Sequence, residues 1–528
     1  MDDLVIKDAT IVDGTGAAGF VGSVAVRDDR VVHVRHGPSE IEHRSRGTMA
    51  RMLDGEGLVL APGFIDVHNH SDLGALVDPE MPSTLRQGVT TVVVGNCGSS
   101  PWPVAGAVEC AQLVGGDPAT MDLAFPSFAG YLDRLDAARP AVNVAALVGH
   151  GAIRSQVMGG QRRPPTGEEL GAMRLAVSRA MDDGALGLST GLIYAPGMYA
   201  RTVEVVALAE EAASRGGIYA SHIRGEGEHL FRAVDEAIEI GRRAGGPAHV
   251  SHLKCETSLV WGRAGELLQR FHGDDDVTGD QYPYEAWASV LWSLLPEWAP
   301  VDEVARIWAD PDRRTMLARA IEEGEGDAFQ SSVRGVGWDR IVIEATADTA
   351  CNGESIEAIA QERGVAPVEA CIQLLIEEPQ TACIGHAMAE DDVRTIMADP
   401  DVMVASDASS MSPTGPLGGL PVHPRNYGTF PRVLGRPVRE GVLTLEAAVR
   451  KMTSLPADRF GLPKRGRVEE GAVADLVLFD PVTVQDRADF DAPHTFPEGI
   501  RAVIVNGAIA WSADAGAIER SGRVIRRT

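Results

Sequence analysis

Two histidines and an aspartate alternate in residues 63–70, which read GFIDVHNH. The first half of this segment is apolar and the second half alternates, which predicts a short strand that runs outward from a core. Side chains two positions apart share one face of a strand, so Asp66, His68 and His70 are expected to point the same way. Two imidazoles at this spacing can hold one divalent metal, and a carboxylate beside them can accept a ring N–H or touch the metal. His-x-His alone is a weak signal, because chance and core packing also produce it.

Further side chains that can bind a metal stand at the ends of predicted strands in the centre of the chain. These residues are Cys97, His222, His252 and Asp407. A buried histidine or an inert cysteine is the simpler interpretation for any one of them. Four such residues at strand ends are better explained by a functional site, because the active site of an α/β barrel lies at the carboxyl ends of its strands. The sequence therefore predicts a metal site built from distant segments.

The elements that must position these residues alternate between strand and helix. Helical patterns lie between many of the strands, for example at residues 228–243 and 368–378, and this alternation indicates a parallel sheet. About eight such units favour an α/β fold of the (β/α)8 barrel type. The predicted strands are Thr90–Val94, Val142–Val148, Ala185–Ser189, Gly217–Ser221, Ala248–Ser251, Val277–Asp280, Ile341–Ala345 and Val402–Ser406.

Both ends of the chain contain short strands separated by tight polar turns, and Asn506-Gly507 is a strong hairpin signal. Neither end has enough strands for a stable sheet. We therefore expect residues 1–60 and 466–528 to form one small β-sandwich domain. Residues 61–465 are then the catalytic barrel, with a Trp-rich and then acidic insertion or lid at about 285–340.

The bulk composition is that of an ordinary globular protein, with 528 residues of which 44% are hydrophobic and a net charge of −27. This charge disfavours nucleic acid and anionic membranes as partners. The first residues show neither the basic nor the apolar region of a signal peptide, and no run of 18 apolar residues occurs. The six cysteines show no paired spacing. We expect a cytoplasmic protein.

Longer strings resemble the D-aminoacylases, or N-acyl-D-amino-acid deacylases, of the amidohydrolase superfamily. The resemblance covers nearly the whole chain, up to about residue 475, and the strings are highly specific in combination. It implies zinc-dependent hydrolysis of the amide of an N-acyl-D-amino acid, a small-molecule substrate. The strings are PGFIDVHNH (62–70), VVGNCG (93–98), LSTGLIY (188–194), SHIRGE (221–226), SHLK (251–254) and HPR (423–425).

Lysine usage supports this resemblance. Many binuclear amidohydrolases bridge their metals with a carboxylated lysine, but none of the four lysines lies between His70 and His222. Cys97 occupies that interval, and a thiolate is a good zinc ligand. The resemblance assigns Cys97 beside His222 and His252 as the tight zinc site. His68 and His70 would form a second site, weaker or optional.

The resemblance and the strand-end position make Asp407 the expected general base, although a helix N-cap is its simpler interpretation. The substrate carboxylate needs local cations. Lys254 shares a strand face with His252, and Arg425 can offer a bidentate fork. The family uses these matching positions for that carboxylate, and Tyr282 matches a tyrosine that contacts the substrate.

The chain departs from the family pattern after residue 284, where the expected hydroxyl residue is missing or displaced by one, to Ser289. Trp287 and Trp292 would make the pocket wall bulky, or would only pack the insertion. His386 is a further candidate for substrate contact. Two alternatives stay open: a cyclic-amide or dipeptide hydrolase of the same superfamily, and a catalytically silent scaffold.

Overall fold

The computed structural model describes residues 3–37, 51–116, 118–272, 276–326, 329–420 and 422–527. Within these ranges, no helix has the length and apolar composition needed to cross a membrane. The strands are β1 (Leu4–Ile11), β2 (Phe20–Arg27), β3 (Arg30–His36), β4 (Arg51–Asp54), β5 (Val59–Pro62), β6 (Phe64–Asp66), β7 (Val89–Val94), β8 (Asn143–Ala146), β9 (Val148–Gly149), β10 (Gly187–Gly191), β11 (Ile218–His222), β12 (Ala248–Val250), β13 (Val277–Gln281), β14 (Trp287–Val290), β15 (Ile341–Ala345), β16 (Ala382–Gly385), β17 (Val402–Val404), β18 (Leu476–Phe479), β19 (Ile500–Val505) and β20 (Ala508–Ser512). The α-helices are α1 (Gly74–Val77), α2 (Pro82–Leu85), α3 (Val104–Leu113), α4 (Phe128–Ala138), α5 (His150–Met158), α6 (Gly167–Asp182), α7 (Thr202–Ala213), α8 (Leu230–Ala244), α9 (Ala264–Phe271), α10 (Val304–Ala309), α11 (Pro311–Glu323), α12 (Ile356–Arg363), α13 (Pro367–Glu377), α14 (Glu390–Ala398), α15 (Arg425–Arg439), α16 (Leu445–Met452) and α17 (Ser454–Arg459).

Strands from the two ends of the chain share one sheet. Its order is β20-β19-β18-β5-β1-β2-β3, with β4 also paired to β1. The contact between the two ends is the antiparallel pair β18–β5. Asn506 and Gly507 join β19 to β20 with φ values of 49° and 84°, the left-handed backbone that a tight hairpin requires. Residues 1, 2, 38–50 and 528 of the predicted β domain lie outside the described residues.

Parallel strands carry the predicted metal-binding residues. One sheet has the order β6-β7-β8, and another has the order β9-β10-β11-β12-β13-β17. Only Leu147 separates β8 from β9, and its N–H donates to Val94 O of β7 at 2.9 Å. Beyond the last strand, an isolated parallel bridge joins Ala408 to Asn69, which follows the first strand. The carboxyl ends of all these strands therefore meet around one point.

One strand prediction was wrong. Ile341–Ala345 is not a parallel strand but the edge strand β15 of an antiparallel sheet, with the order β14-β16-β15. In the structure β13 pairs directly with β17, and the parallel set includes β6, which precedes the first predicted barrel strand. A short apolar run shows that a strand is buried but not which partner it pairs with, and this ambiguity explains the error.

A second hydrophobic core surrounds this antiparallel sheet, and its buried residues run from Tyr282 to Met388. Helices α10 to α13 pack within the same stretch. This second core therefore extends well beyond residue 340, the predicted limit of the insertion. It includes the predicted helix at residues 368–378, which the structure has as α13.

Helix α8 shows how the sequence builds the outer layer. Leu230, Val234 and Ile238 recur at the four-residue spacing that keeps side chains on one helix face, and all three are buried. The helix ends where Gly245 takes a left-handed backbone with φ of 71°. Its buried face packs against α7 and β12, which holds β11 and β12 in register beside each other.

Candidate functional site

The structure brings the predicted metal-binding residues together at the carboxyl ends of the parallel strands. His222 is the last residue of β11, and His252 lies two residues after β12. His68 and Cys97 follow β6 and β7, the first two strands of this set. Because these strands are parallel, side chains at the same end of each can converge on a small volume.

Cys97, His222 and His252 form a compact triangle. Cys97 Sγ lies 3.6 Å from His222 Nδ1 and 3.7 Å from His252 Nε2. The two ring nitrogens are 2.8 Å apart. Zinc bonds of about 2.0–2.3 Å in a tetrahedral site place neighbouring ligand atoms about 3.3–3.8 Å apart, so the two sulfur–nitrogen distances fit such an ion. The nitrogen–nitrogen distance is shorter than that range and would have to open by a few tenths of an ångström.

His68 and His70 lie beside this triangle and meet at Asp407. Asp407 Oδ1 is 3.3 Å from His68 Nε2 and 3.1 Å from His70 Nε2. The same His68 nitrogen lies 3.3 Å from Cys97 Sγ. His68, Cys97, His252 and Asp407 therefore offer four ligand atoms that all lie within 4.8 Å of one another. The two groups of histidines predicted from sequence are neighbours, and the thiol stands between them.

Strained backbone aims three of these side chains inward. Cys97, His252 and Asp407 have φ values of 52°, 36° and 50°, which non-glycine residues rarely adopt. Each such conformation costs roughly 1–3 kcal/mol and persists only where the surrounding structure enforces it. Gly95, two residues before Cys97, has φ of 80°, and a Cβ there would lie 2.1 Å from Leu147 O. The close approach of β7 to the β8–β9 junction thus requires glycine at this position.

The charges of the cluster favour its ligand forms. Burial alone would raise the pKa of the Cys97 thiol, but the charge of His68 and hydrogen bonds from His222 and His252 hold it well below its usual range. Burial likewise opposes ionisation of Asp407, and Arg425 and His252 outweigh it and keep the pKa of Asp407 well below normal. A thiolate and a carboxylate thus share one buried site, and a divalent cation would neutralise both.

Two carboxylates that the sequence analysis did not single out orient the histidines. Asp280, at the end of β13, has Oδ2 2.7 Å from His249 Nε2 and 3.5 Å from His68 Nδ1. Glu226 Oε1 lies 2.9 Å from His252 Nδ1. A carboxylate on the outer nitrogen fixes the ring and leaves the inner nitrogen free to bind a metal.

The sequence contains a signal for both carboxylates. Asp280 closes a predicted strand, and Glu226 ends the string SHIRGE. Burial would raise the pKa of Asp280, but the charge of His68 and the hydrogen bond from His249 hold it well below its usual range. Burial opposes ionisation of Glu226 as well, and the charges of Lys254 and His252 overcome it. Both groups therefore carry negative charge to the outer side of the cluster.

Asp66 has a different place from the one predicted. It does not face the imidazoles; its Oδ1 accepts the backbone N–H of Ser406 at 2.9 Å, and its Oδ2 accepts the Ser406 hydroxyl at 2.5 Å. A side-chain hydrogen bond from Asn69 completes this arrangement at 2.9 Å. Asp66 therefore links the end of β6 to the segment after β17 by hydrogen bonds to Ser406.

The predicted substrate-binding cations lie next to the cluster and already have partners. Arg425 Nη1 donates to Asp407 Oδ2 at 2.8 Å, and Lys254 Nζ donates to Glu226 Oε1 at 2.7 Å. The ring of Tyr282 lies between them, 4.9 Å from Arg425 Cζ and 5.7 Å from Lys254 Nζ. Among the described residues, Arg425 Nε and Tyr282 Oη are buried without a hydrogen-bond partner.

A cavity of about 560 Å³ opens onto the cluster. Lys254 and Arg425 line it, whereas Tyr282 lies behind them and is not among the described lining residues. The inserted region supplies a wall that includes Trp287, Trp292 and Ser289. The lining also includes Tyr194, whose hydroxyl lies 3.4 Å from Ser289 Oγ, so the displaced hydroxyl residue does face the cavity.

His386 does not reach this cavity. Its ring packs 4.8 Å from the ring of Phe490, and it is absent from the described lining residues. The expectation that His386 contacts the substrate finds no support in this position. The strand that precedes it, β16, contributes Ala382 to the cavity lining.

Comparison with known proteins places the chain in a family. Residues 51–510 match the amidohydrolase family. The chain is 37% identical to D-aminoacylase of Alcaligenes xylosoxydans xylosoxydans over 100% of its own length and 98% of that protein. It is also 37% identical to N-acyl-D-glutamate deacylase of the same organism, over 99% and 96% of the two chains.

A solved structure agrees with these sequence matches. The N-acyl-D-glutamate deacylase from Bordetella bronchiseptica, complexed with zinc and a phosphonate inhibitor that mimics the tetrahedral intermediate, superimposes with a TM-score of 0.80. Its sequence is 35% identical, and the match covers 100% of both chains. The chain therefore belongs to the amidohydrolase family, in the group that includes D-aminoacylase and the N-acyl-D-amino-acid deacylases.

Proposed function

We propose that the protein is a zinc-dependent deacylase that hydrolyses the amide of N-acyl-D-amino acids to a carboxylic acid and a D-amino acid. The observation that carries this proposal is the triangle of Cys97, His222 and His252 opposite Asp407, at the base of a cavity lined by cations. The similar D-aminoacylase and N-acyl-D-glutamate deacylase support the same substrate class.

The donor set supports zinc. A thiolate and two imidazoles are ligands that zinc prefers, whereas magnesium and calcium prefer oxygen. Cys97, His222 and His252 would hold the tight ion, and His68 and His70 would contribute to a second, weaker site. Zinc supplies a Lewis acid that polarises the scissile carbonyl and lowers the pKa of water. Glu226 and Asp280 keep the rings oriented for this task.

Asp407 has the position expected of the general base. Its carboxylate would take a proton from the attacking water and then hand that proton to the leaving amine nitrogen. The ion pair with Arg425 fixes the orientation of the carboxylate and keeps it ionised. Three hydrogen-bonded neighbours, His68, His70 and Arg425, hold it toward the cluster.

Lys254, Arg425 and Tyr282 would bind the carboxylate of the substrate. Arg425 Nε and Tyr282 Oη are buried donors that have no partner in the part of the chain that the structure describes, and burying such groups is unfavourable unless a ligand satisfies them. A carboxylate placed beside both would satisfy them and hold the neighbouring amide near Cys97. This anchor distinguishes a linear N-acyl amino acid from a hydantoin, which has no free carboxylate.

We also infer that the parallel strands close into a (β/α)8 barrel and that the terminal sheet belongs to a small β-sandwich domain. The bridge between Asn69 and Ala408 supports closure of the barrel. We propose domain limits near residues 60 and 466, with the insertion extended to about residue 388, where its hydrophobic core ends.

A substrate screen tests the proposed activity. Zinc-loaded protein is incubated with paired N-acetyl-D- and N-acetyl-L-methionine, with a hydantoin and with dihydroorotate, and product release is followed. We expect hydrolysis of the D-amide alone. Ring opening of the cyclic amides would favour the other superfamily activity, and a protein that neither binds zinc nor hydrolyses any amide would be a silent scaffold.

A further inference from the structure

Glu344 turns into the cavity from the wall that the insertion provides. Strands β15 and β16 pair Ile343 with Cys383 and Ala345 with Ala382, so Glu344 is the extra residue of a β-bulge. A bulge interrupts the alternation of a strand and redirects the side chain at that point. The side chain of Glu344 lines the same cavity as Arg425 and the metal-binding cluster.

The carboxylate of Glu344 has no hydrogen bond or ion pair among the described residues, whereas three of the cations that line the cavity, Arg224, Lys254 and Arg425, are paired with carboxylates. Arg224 forms two hydrogen bonds with Glu236, at 3.0 and 3.1 Å. Lys254 and Arg425 are paired with Glu226 and Asp407. The cavity therefore offers an unpaired carboxylate to a cationic ligand. Its paired cations attract an acidic substrate side chain more weakly than this carboxylate attracts a basic one.

The surroundings of Glu344 indicate which part of a substrate it would meet. Burial raises the pKa of Glu344 to about 7, while the nearby positive charge of Arg425 acts in the opposite direction. Because Arg425 belongs to the proposed anchor for the substrate carboxylate, Glu344 lies at the amino-acid end of the substrate. The acyl group would extend toward another part of the cavity.

We propose that Glu344 selects N-acyl-D-amino acids whose side chain carries a positive charge, such as N-acyl-D-lysine, and disfavours acidic side chains. The inference rests on the proposed deacylase function and names its substrate class. A cationic head group would pair with the carboxylate in a partly desolvated site, where charge pairs are stronger than in water. Trp287, on the same wall, would pack against the aliphatic stem of a lysine side chain.

The test compares matched substrates in three proteins: the unaltered enzyme, Glu344→Gln, and Glu362→Gln as a control. Glu362 is an exposed residue of α12 in the same insertion, so its substitution removes an equal charge away from the cavity. The substrates are N-acetyl-D-lysine against N-acetyl-D-norleucine, and N-acetyl-D-glutamate against N-acetyl-D-glutamine. The readout is kcat/KM for each substrate.

We expect the unaltered enzyme to prefer the lysine substrate over norleucine by about tenfold or more, and glutamine over glutamate similarly. Glu344→Gln should reduce both ratios at least about fivefold, and Glu362→Gln should leave them unchanged. The proposal would be overturned in an active enzyme if these two kcat/KM ratios stayed the same in Glu344→Gln. It would also be overturned if they changed equally in the Glu362→Gln control.

Calorimetric binding to the Asp407→Asn protein measures charge selection without turnover. Tighter binding of N-acetyl-D-lysine than of N-acetyl-D-norleucine, lost when Glu344→Gln is added, supports the inference. Equal binding of the two ligands contradicts it. Absence of turnover in the unaltered enzyme would refute the deacylase function separately, so the two failures are distinguishable.

Discussion

Replacing Asp407 with asparagine is expected to abolish most turnover while leaving the tight zinc site intact. Asparagine keeps the size of the side chain and one oxygen acceptor, so contacts with His68 and His70 can persist at 3.3 and 3.1 Å. It cannot take a proton from water. In the unaltered protein Arg425 Nη1 donates to Asp407 Oδ2 at 2.8 Å. The asparagine amide would instead present N–H groups to this donor, so the hydrogen bond would be lost.

The size of the effect follows from these contacts. Loss of a positioned general base lowers kcat by roughly 10²–10⁴-fold, equivalent to about 3–5 kcal/mol of activation free energy. The broken pair with Arg425 leaves a buried charge uncompensated, and this costs about 3–5 kcal/mol of folding stability at most. Cys97, His222 and His252 do not depend on Asp407 for their mutual geometry, so zinc affinity should barely change.

The assay combines steady-state hydrolysis of an N-acetyl-D-amino acid with zinc content by mass spectrometry and a denaturation curve. Asp391→Asn is the matched control, because Asp391 is an exposed residue in the first turn of α14 and its substitution makes the same chemical change. Full zinc content with lost turnover supports the general-base role. Zinc loss in proportion to activity would show that Asp407 is principally a metal ligand.

Three further substitutions test the supporting contacts. Glu226→Gln should weaken zinc binding by roughly 10–100-fold, measured by competition with a chelator, because it removes the carboxylate behind one ligand histidine; unchanged affinity would contradict that role. Arg425→Met should raise the pKa of Asp407, since Arg425 is the main group that lowers it. The acidic limb of the pH profile of kcat/KM should therefore move to higher pH. A limb that does not move would mean that the titration of Asp407 does not determine it. Gly95→Ala would place a Cβ 2.1 Å from Leu147 O, on a backbone with φ of 80°. We expect it to lower the free energy of unfolding by about 1–3 kcal/mol. An unchanged unfolding midpoint would show that β7 can shift to accommodate the Cβ.

The convergence of the predicted metal-binding residues could be predicted because their signal is local. Each of Cys97, His222, His252 and Asp407 stands at the end of an apolar run, and the parallel arrangement of strands brings such ends together without further information. The two histidines of residues 63–70 follow the same rule. Strand pattern and residue type therefore predicted that these side chains converge, and the family resemblance supplied the expected role of each.

The partners of these residues could not be predicted in the same way. Asp280 faces the rings of His249 and His68, which lie 31 and 212 residues away in the chain, and Glu226 faces the ring of His252, 26 residues away. Which carboxylate faces which ring depends on rotamers and on the register between neighbouring strands. Sequence spacing does not fix either quantity between two separate segments. The pairing of Lys254 and Arg425 with carboxylates could not be predicted either, because it also depends on rotamers and on contacts between separate segments.

The insertion marks the other limit of prediction. Ile341–Ala345 has the composition of any buried strand, and only its pairing with β16 shows that it lies outside the parallel set. The bulge at Glu344 arises from that pairing too. Simple alternation places Glu344 on the face opposite the buried Ile341 and Ile343, but the sequence does not show that this face meets the cavity.

Zinc K-edge X-ray absorption on the purified protein tests the central claim most directly. One sulfur at about 2.3 Å together with nitrogen ligands at about 2.0–2.1 Å is expected, and the sulfur contribution should disappear in Cys97→Ala. A zinc spectrum with nitrogen and oxygen scatterers alone in the unaltered protein would contradict the proposed site.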